Sequence, residues 1–381
     1  MVPLLLLLSA LLLLAGVARA DGVPGFSIQN VSVGSGTGFS IQNVIVGNGA
    51  DAVIVSVLRN HATGESVDIL QSFGGKLERV SLMASRCDGG QRCKPRDIIA
   101  SRCNGTYDNC TSALLKDQAC PGALLMPFAN RISHGRYTFQ GTEQRLTADN
   151  STPSHGFLIQ GRPMKVLSQS TSKTNATLVL GALFDGTDPG YPFKVHVAVS
   201  YVLSASGLSV HIKATNRMAS SAAPFQAGCH PYFRLLNSNF STARLTLDRS
   251  CTKWNRQLQT PIQVPNHVTE PFGGFDSQTI AFPHSGCPAC GSPAHWDDGF
   301  TPLSSVQACP EVAVRLADGR DVLTLTLGEG FRYVQVYSGS PQTGVAIEPY
   351  TGETDCFNNE EGLVVLESGQ EWEGSFRIGV E

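Results

Sequence analysis

Glu348 is the residue of this sequence whose local setting most favours chemistry. It follows three apolar residues, Val345, Ala346 and Ile347, which predict a short buried strand, and it precedes Pro349. Because proline cannot donate to a ladder, we expect the strand to end there and the carboxylate to lie at a rigid rim. Lost hydration at such a rim would raise its basicity. The alternative is an ordinary ion pair between Glu348 and an arginine.

Four other segments combine polar side chains with turn residues. They are Pro127–Gly135, Ser154–Gly156, Gly228–Phe233 and His295–Phe300. Each has a purely structural alternative: His230 as a histidine satisfied within the core, Arg131 as an ion-pair partner at a strand end, and Asp297 as a turn former.

Taken together, these residues predict a site for a polyol such as a sugar. Sugars are bound by planar hydrogen-bonding side chains and by aromatic faces that cover their C–H surfaces. A glutamate and a histidine together supply a general base and a general acid without a metal. The sequence contains neither a GxSxG nor an HExxH motif, which argues against a serine hydrolase and a zinc protease of those types.

The elements that must position these residues are predicted to be strands. Period-two alternation of apolar residues recurs from about residue 52 onward, in Lys194–Val202, Leu208–Lys213, Arg244–Leu247, Val322–Leu327, Tyr333–Tyr337 and Gly374–Gly379. Many strands without helical crossovers predict an all-β fold of large antiparallel sheets packed as a sandwich. We predict one domain over residues 52–381.

Composition restricts the partners of this domain. The chain of 381 residues is 41% hydrophobic and 15% charged, and its formal net charge is −3. Lysine and arginine form no long run, so neither a nucleic acid nor an anionic membrane surface is a predicted partner.

Two segments before residue 52 are predicted to lie outside the domain. Residues 1–20 are Leu-rich and end in Ala18-Arg19-Ala20, which is typical of a secretory signal peptide; a membrane anchor is the alternative. Residues 21–51 form a Gly-rich arm with a near-exact repeat, Gly25–Gly34 and Gly38–Gly47, which we interpret as an added edge hairpin or a flexible arm. No later stretch is long enough to span a bilayer, so no membrane partner is expected after cleavage.

Glycosylation motifs and cysteines also favour secretion. Six Asn-x-Ser/Thr motifs begin at Asn30, Asn104, Asn109, Asn150, Asn175 and Asn239. Eleven cysteines suit an oxidising compartment. We therefore expect a protein that is extracellular or resides in the lumen of the secretory pathway.

The cysteines fall in two groups. Residues 86–120 hold five of them in a polar stretch that we interpret as a disulfide-linked insertion, and a second, looser group contains Cys287-x-x-Cys290. Zinc is the alternative for that pair, but disulfides are favoured in a secreted chain. An odd number of cysteines leaves at least one thiol unpaired or bridging to another chain, and we expect Cys229 and Cys356 to be buried.

An ordered set of short motifs identifies a resemblance. The motifs are Asn130-Arg-Ile-x-x-Gly135, His155-Gly156, His230-Pro-Tyr-Phe233, Asp297-x-x-Phe300, Val334-Gln-Val-Tyr337 and Glu348-Pro…Asn358. From about residue 52 to the C-terminus the chain resembles the aldose 1-epimerase (galactose mutarotase) family, in a variant with His-Pro-Tyr-Phe and Glu-Pro-Tyr-Thr-Gly motifs. The resemblance implies a galactose-mutarotase-like β-supersandwich, no cofactor and no metal.

The resemblance also implies a role for each matching residue. It makes Glu348 the general base and His230 the general acid, and it makes five residues the substrate-binding set: Asn130, Arg131, His155, Asp297 and Gln335. Asp298 competes with Asp297, because the acid pair lets the alignment slip by one residue.

The expected activity is interconversion of the α and β anomers of a free aldohexose by acid–base ring opening and closure, with a bell-shaped pH profile. The alternatives are a hexose-6-phosphate mutarotase, in which arginines such as Arg131 and Arg136 would bind the phosphate, and a secreted carbohydrate-binding protein without catalysis. The expected partner is a small sugar, and the expected state is a monomer or weak dimer.

Overall fold

The computed structural model describes residues 38–47, 49, 52–83, 94–99, 103, 107, 121–234, 243–247, 254–258, 269–271, 279–281, 297–302, 309–318, 321–338 and 344–381. Over these residues, strands dominate and confirm the all-β prediction. The helical elements with described bounds are two 3₁₀ turns, Ser133–Gly135 and Leu158–Gln160, and a one-turn helix, α1 (Cys356–Asn359). None of the helices described there has the length and apolar character needed to cross a membrane.

The largest sheet of the described chain has nine antiparallel strands. In spatial order, with strands numbered along the chain, they are β19 (Thr279–Ala281), β16 (Arg244–Leu247), β21 (Val312–Asp318), β22 (Asp321–Leu327), β26 (Glu371–Val380), β12 (Gly207–Asn216), β11 (Lys194–Ser204), β10 (Asn175–Asp185) and β9 (Lys165–Thr171). Buried and exposed residues alternate along β11, because successive side chains point to opposite faces of a strand. The strands predicted from alternation all occur here or in the next sheet, at or close to their predicted bounds.

A second sheet carries most of the predicted site residues. Within the described ranges it comprises β18 (Thr269–Pro271), β17 (Trp254–Leu258), β20 (Asp297–Pro302), β23 (Tyr333–Tyr337), β24 (Val345–Tyr350), β14 (Gly228–Cys229) and β6 (Leu124–Leu125), with β15 (Tyr232–Phe233) also paired to β24. All of its pairings are antiparallel.

A third sheet precedes these two in the chain. Its strands, as far as they are described, are β1 (Phe39–Val46), β2 (Val53–Asn60), β3 (Ser66–Leu70), β4 (Lys76–Leu82) and β5 (Arg96–Asp97). The second copy of the repeat, Gly38–Gly47, therefore contains an edge strand that pairs with β2, so this sheet begins before residue 52. The first copy, the signal segment and most of the Cys-rich insertion lie outside the described residues.

Two small sheets complete the architecture of the described residues. They are the hairpin of β7 (Arg136–Phe139) with β8 (Thr142–Arg145) and the pair of β13 (Ala223–Phe225) with β25 (Val364–Leu366). Buried side chains of the three larger sheets merge into one hydrophobic core, to which Leu58, Val197 and Ile347 each contribute from a different sheet. This shared core fixes the sheets relative to one another.

The prediction that a strand ends at Glu348 is wrong, because β24 continues through Pro349 to Tyr350. On one edge of β24 the amide of Ile347 donates to Pro231 O and that of Thr351 donates to Ala227 O. Backbone groups two residues apart face the same edge, so the nitrogen of Pro349 faces this edge too, opposite Cys229 in the register that pairs Gly228 with Tyr350. Proline donates no hydrogen bond there, and the bonds of Ile347 and Thr351 on either side keep the strand paired.

Candidate active site

Glu348 and His230 form the centre of the site. Glu348 lies on β24, and His230 lies at the break between β14 and β15, where its backbone bonds to Ala123 and Gly122 hold it. Nε2 of His230 is 3.2 Å from Oε1 of Glu348, and the two residues are 5% and 1% exposed. The described chain places an imidazole, and not an arginine, within hydrogen-bond distance of Glu348.

One side of the site is built from strands, and we call Asp297, Gln335, Glu348 and Tyr350 the strand wall. Register places Gln335 of β23 directly opposite Glu348 of β24. On the next strand Gly299 lies opposite Gln335, and Asp297, two residues earlier, shares its face. Nε2 of Gln335 donates to Oδ1 of Asp297 over 2.8 Å.

This alternation places the side chains of Asp297 and Asp298 on opposite faces of the sheet. Asp298 pairs with Val336 in the ladder, so its side chain points to the opposite face of the sheet from Gln335 and Glu348. It is 5% exposed there. Asp297 is therefore the acid that the fold directs toward the site.

Tyr350 is a member of the strand wall to which the sequence analysis gave no role. Its hydroxyl donates to Oε2 of Glu348 over 2.5 Å, and both residues are buried. The spacing in the sequence could have indicated this contact, because Tyr350 is two residues beyond Glu348 and residues at i and i+2 of a strand share a face. It was missed because the strand was predicted to end before Pro349.

The opposite side of the site is built from loops, and we call Asn130, Arg131 and His155 the loop wall. Asn130 and His155 have positive φ, 55° and 71°. The amide of His155 donates to Asn130 O over 2.8 Å, and Nη1 of Arg131 donates to Oδ1 of Asn130 over 3.3 Å. The ring of His155 meets the edge of His230 at a centroid distance of 5.2 Å, which joins the loop wall to the pair of His230 and Glu348.

Two buried polar residues support the loop wall, and sequence reasoning assigned neither. Asp355 accepts hydrogen bonds from the amide and hydroxyl of Ser133 at 2.9 and 2.7 Å and from Nδ2 of Asn358 at 2.7 Å. Its own amide donates to Arg131 O over 2.9 Å. Asp355 lies inside the Glu348–Asn358 motif, but local pattern gave no sign of its partners.

Gln226 is the second support. Its Oε1 accepts from the amide of Ala129 at 2.9 Å, and its Nε2 donates to the carbonyls of Gly352 and Glu353 at 2.7 and 3.1 Å. One buried amide thus joins the segment before the loop wall to the segment after β24. No sequence pattern marks this residue.

Burial dominates the electrostatics of Glu348 and His230. It raises the pKa of Glu348 well above the ordinary 4.5, while the Tyr350 hydroxyl opposes that rise. It lowers the pKa of His230 well below 6.5, and the nearby His155 adds to that effect. Burial, followed by the charge of Arg131, lowers the pKa of His155 to about 4. The ring of Tyr232 stacks on His230 at 4.9 Å.

The seven predicted site residues thus form one continuous cluster. It runs from Asp297 through Gln335 and Glu348 to His230, and then through the loop wall. The catalytic and substrate-binding roles assigned to them stay predictions.

Two further cysteine predictions have different outcomes. Cys229 and Cys356 are buried, as expected, and both are free thiols. The Cys287-x-x-Cys290 pair lies outside the described residues, as does His295. In the part of the chain that is described, no group of three or more His, Cys, Asp or Glu side chains is arranged to hold a metal ion.

Comparison with known proteins identifies relatives of the chain. Residues 106–379 match the family model described as aldose 1-epimerase. The uncharacterised protein YihR of Escherichia coli strain K12 is 28% identical over 256 residues, which cover 65% of this chain and 75% of YihR.

Solved structures share the fold. Galactose 1-epimerase from Lactobacillus acidophilus NCFM has a TM-score of 0.67 at 15% identity, with 90% of this chain and 98% of that chain covered. The GalM/aldose epimerase homologue from C. elegans has a TM-score of 0.66 at 17% identity, with 84% and 96% covered. These likenesses confirm the predicted galactose-mutarotase-like fold.

Proposed function

The chain belongs to the aldose 1-epimerase family, and from that premise we propose that it interconverts the α and β anomers of a free aldohexose. The observation that carries the proposal is the buried contact of 3.2 Å between His230 and Glu348. A carboxyl group and an imidazole at this separation supply a base and an acid within reach of a single sugar ring.

The reaction needs two proton transfers in each direction. Glu348 takes the proton of the C1 hydroxyl while protonated His230 gives a proton to the ring oxygen, and the C1–O5 bond breaks to leave an open-chain aldehyde. Rotation about C1–C2 presents the other carbonyl face. On closure O5 attacks that face and gives its proton back to His230, while Glu348 gives its proton to the C1 oxygen, so both groups are regenerated.

The mechanism is compatible with burial of Glu348 and His230 because of the number of protons that the two groups share. Both pKa shifts favour a neutral carboxyl beside a neutral imidazole, whereas the reaction needs a carboxylate beside an imidazolium. The two arrangements contain the same single proton and differ only in its position across the contact. Activity is therefore lost at low pH, when the pair gains a second proton, and at high pH, when it loses the last one.

The two walls are proposed to bind the sugar hydroxyls. Asp297 and Gln335 offer a carboxylate and an amide on one side, and Asn130 and Arg131 offer an amide and a guanidinium on the other. Nδ1 of His155 is buried without a hydrogen-bond partner in the described residues, and a sugar hydroxyl would supply one.

The proposal is tested by polarimetry on a panel of freshly dissolved α-aldohexoses, with the uncatalysed rate subtracted. We expect wild type to accelerate mutarotation, Glu348→Gln to lose that acceleration, and Glu143→Gln to keep it. Glu143 is a suitable control because it is exposed and paired with Arg145 at the surface. Wild-type rates in Glu348→Gln would refute the role of this carboxylate.

Two additional measurements separate the alternatives. Faster turnover of glucose 6-phosphate than of glucose would select the hexose-6-phosphate mutarotase. Of the two arginines named for the phosphate, Arg136 already bonds through Nε to Oδ1 of Asn150 at 2.9 Å. Glycan binding by wild type without anomer exchange would select the carbohydrate-binding protein.

We also propose that the protein is secreted and glycosylated. The support is the leader of residues 1–20 together with the six glycosylation motifs, one of which begins at the exposed Asn150. Expression of the full chain in a secretory eukaryotic host, followed by glycosidase digestion of the medium, tests this. Retention of the chain in the cytosol without a mobility shift on digestion would contradict it.

A further inference from the structure

Tyr350 contacts the atoms at which the proposed reaction occurs. Its hydroxyl donates to Oε2 of Glu348 over 2.5 Å, and the other carboxyl oxygen, Oε1, faces His230 at 3.2 Å. The two neighbours therefore act on the two oxygens of one carboxyl group. A hydrogen bond from a hydroxyl to a carboxylate stabilises the ionised form more than the neutral acid.

The ring that carries this hydroxyl has no freedom to move away. Tyr350 is 2% exposed and packs in a small apolar cluster with Ala123, Leu125 and Ala129. Its ladder partner is Gly228, where a Cβ atom would lie 2.6 Å from Cδ1 of Tyr350 and 2.9 Å from Cβ of Ala129. Glycine at this position makes room for the ring, and the ring in turn fixes where the hydroxyl points.

We propose that Tyr350 is a positioning residue, whose hydroxyl holds Oε1 of Glu348 toward His230 and places the shared proton of the pair on the imidazole. The inference rests on the proposed function of the pair. It goes beyond that function because it names the group that favours a carboxylate beside an imidazolium over a neutral carboxyl beside a neutral imidazole. Burial favours the neutral arrangement, and the Tyr350 hydrogen bond is the strongest of the contacts that oppose it.

The test is Tyr350→Phe, which removes the hydroxyl and keeps the ring. The ionisation of Glu348 is followed directly, as the carboxylic acid C=O stretch in infrared spectra of each protein minus its Glu348→Gln counterpart. Loss of one hydrogen bond to a charged group should move the ionisation midpoint upward by about one to two pH units. The same loss should lower kcat by about 10- to 100-fold at neutral pH with little change in KM.

Tyr191→Phe is the matched control. Tyr191 is buried, and its hydroxyl donates to the carbonyl of Pro224 over 2.7 Å, outside both walls. Tyr191→Phe also loses a buried hydrogen bond, so it reproduces the general loss of stability that a buried Tyr→Phe substitution causes. We expect it to leave the midpoint of Glu348 and the kcat unchanged.

The outcomes separate this proposal from the function on which it rests. If wild type does not exchange anomers, the infrared midpoint still reports whether Tyr350 acts on Glu348. A midpoint in Tyr350→Phe equal to or below that of wild type would overturn the proposal. If Tyr350→Phe does not fold, all tyrosines are replaced by 3-fluorotyrosine, which makes the Tyr350 hydroxyl a stronger hydrogen-bond donor. The ionisation midpoint of Glu348 should then fall. An unchanged or raised midpoint would overturn the proposal.

Discussion

The two walls of the site hold their side chains in position in different ways. The strand wall takes its residues from neighbouring strands of one sheet, so their spacing is set by the ladder: Gln335 lies opposite Glu348, and Tyr350 is two residues further along. The loop wall takes Asn130 and His155 from connecting segments in which both have positive φ.

The difference shows where the supporting interactions must come from. A strand needs no special residues to aim its side chains, because alternation is a property of the extended backbone. Positive φ in a residue other than glycine costs energy and persists only where the surroundings enforce it. Asp355 and Gln226 supply that enforcement through side-chain hydrogen bonds to the segments around the loop wall.

The largest expected effect concerns the residue between the walls. His230→Asn should lower kcat by about 10²- to 10⁴-fold, because the ring oxygen loses its proton donor. Polarimetry on the preferred sugar measures it, and His134→Asn is the control, since His134 is exposed, lies on the same segment as the loop wall and has a φ of 54° that asparagine tolerates. Retained activity in His230→Asn with loss in His155→Asn would move the acid to the loop wall.

The next effect should fall on the loop wall alone. Asp355→Gly removes the acceptors of Ser133 and Asn358 without strain, because glycine adopts the φ of 63° at this position freely. We expect a loss of about 2–4 kcal/mol in the free energy of unfolding. We also expect KM to rise more than kcat falls, because Arg131 is displaced.

Urea unfolding and steady-state kinetics measure these two quantities. Asp185→Gly is the comparison variant, since Asp185 is exposed and accepts from the amide of Thr187 within its own turn. A fall in kcat with unchanged KM in Asp355→Gly would show that the loop wall does more than bind the sugar.

The third prediction concerns the pH dependence of stability that ionisation of the buried Glu348 causes. The folded pKa of Glu348 is raised, so the stability that its proton contributes is full below pH 4.5 and is lost as pH rises toward the folded pKa. Glu348→Gln has no such loss, so its advantage in unfolding free energy over wild type should grow from pH 5 to pH 8. One proton limits the slope to about 1.4 kcal/mol per pH unit.

Denaturant unfolding of both proteins at several pH values measures this difference. The pKa of His230 is lowered, so its own contribution has the opposite sign and is lost as pH falls below 6.5. A difference between the two proteins that does not vary with pH would mean that the carboxyl ionises alike in the folded and unfolded chains.

The smallest effect should isolate the backbone strain of the loop wall. Asn130→Ala and Asn130→Gly both remove the acceptor of Arg131, but glycine alone adopts a φ of 55° without cost. We expect Asn130→Gly to be more stable than Asn130→Ala by about 1 kcal/mol. Equal thermal unfolding midpoints would indicate that the loop wall stores no strain at this residue.

Much of the strand architecture could be predicted from the chain alone. Alternation predicted β16 and β23 at their observed bounds, and the Glu348 and His230 motifs predicted residues that the fold brings together. The prediction failed at Pro349, where a general rule about proline gave the wrong end of β24. The missing N–H of Pro349 faces β14 and β15, and the hydrogen bonds of Ile347 and Thr351 on either side carry the pairing past it, which depends on contacts with a distant part of the chain.

The sequence by itself therefore determined which residues alternate and which types of side chain are available, because both are local properties of an extended chain. Tertiary structure decided which of two adjacent acids shares a face with Gln335 and Glu348, that Tyr350 bonds to Glu348, and that Asp355 and Gln226 hold the loop wall. Each of these depends on strand register or on contacts between segments far apart in the chain. Such contacts form only when burial of the shared core fixes the sheets against one another.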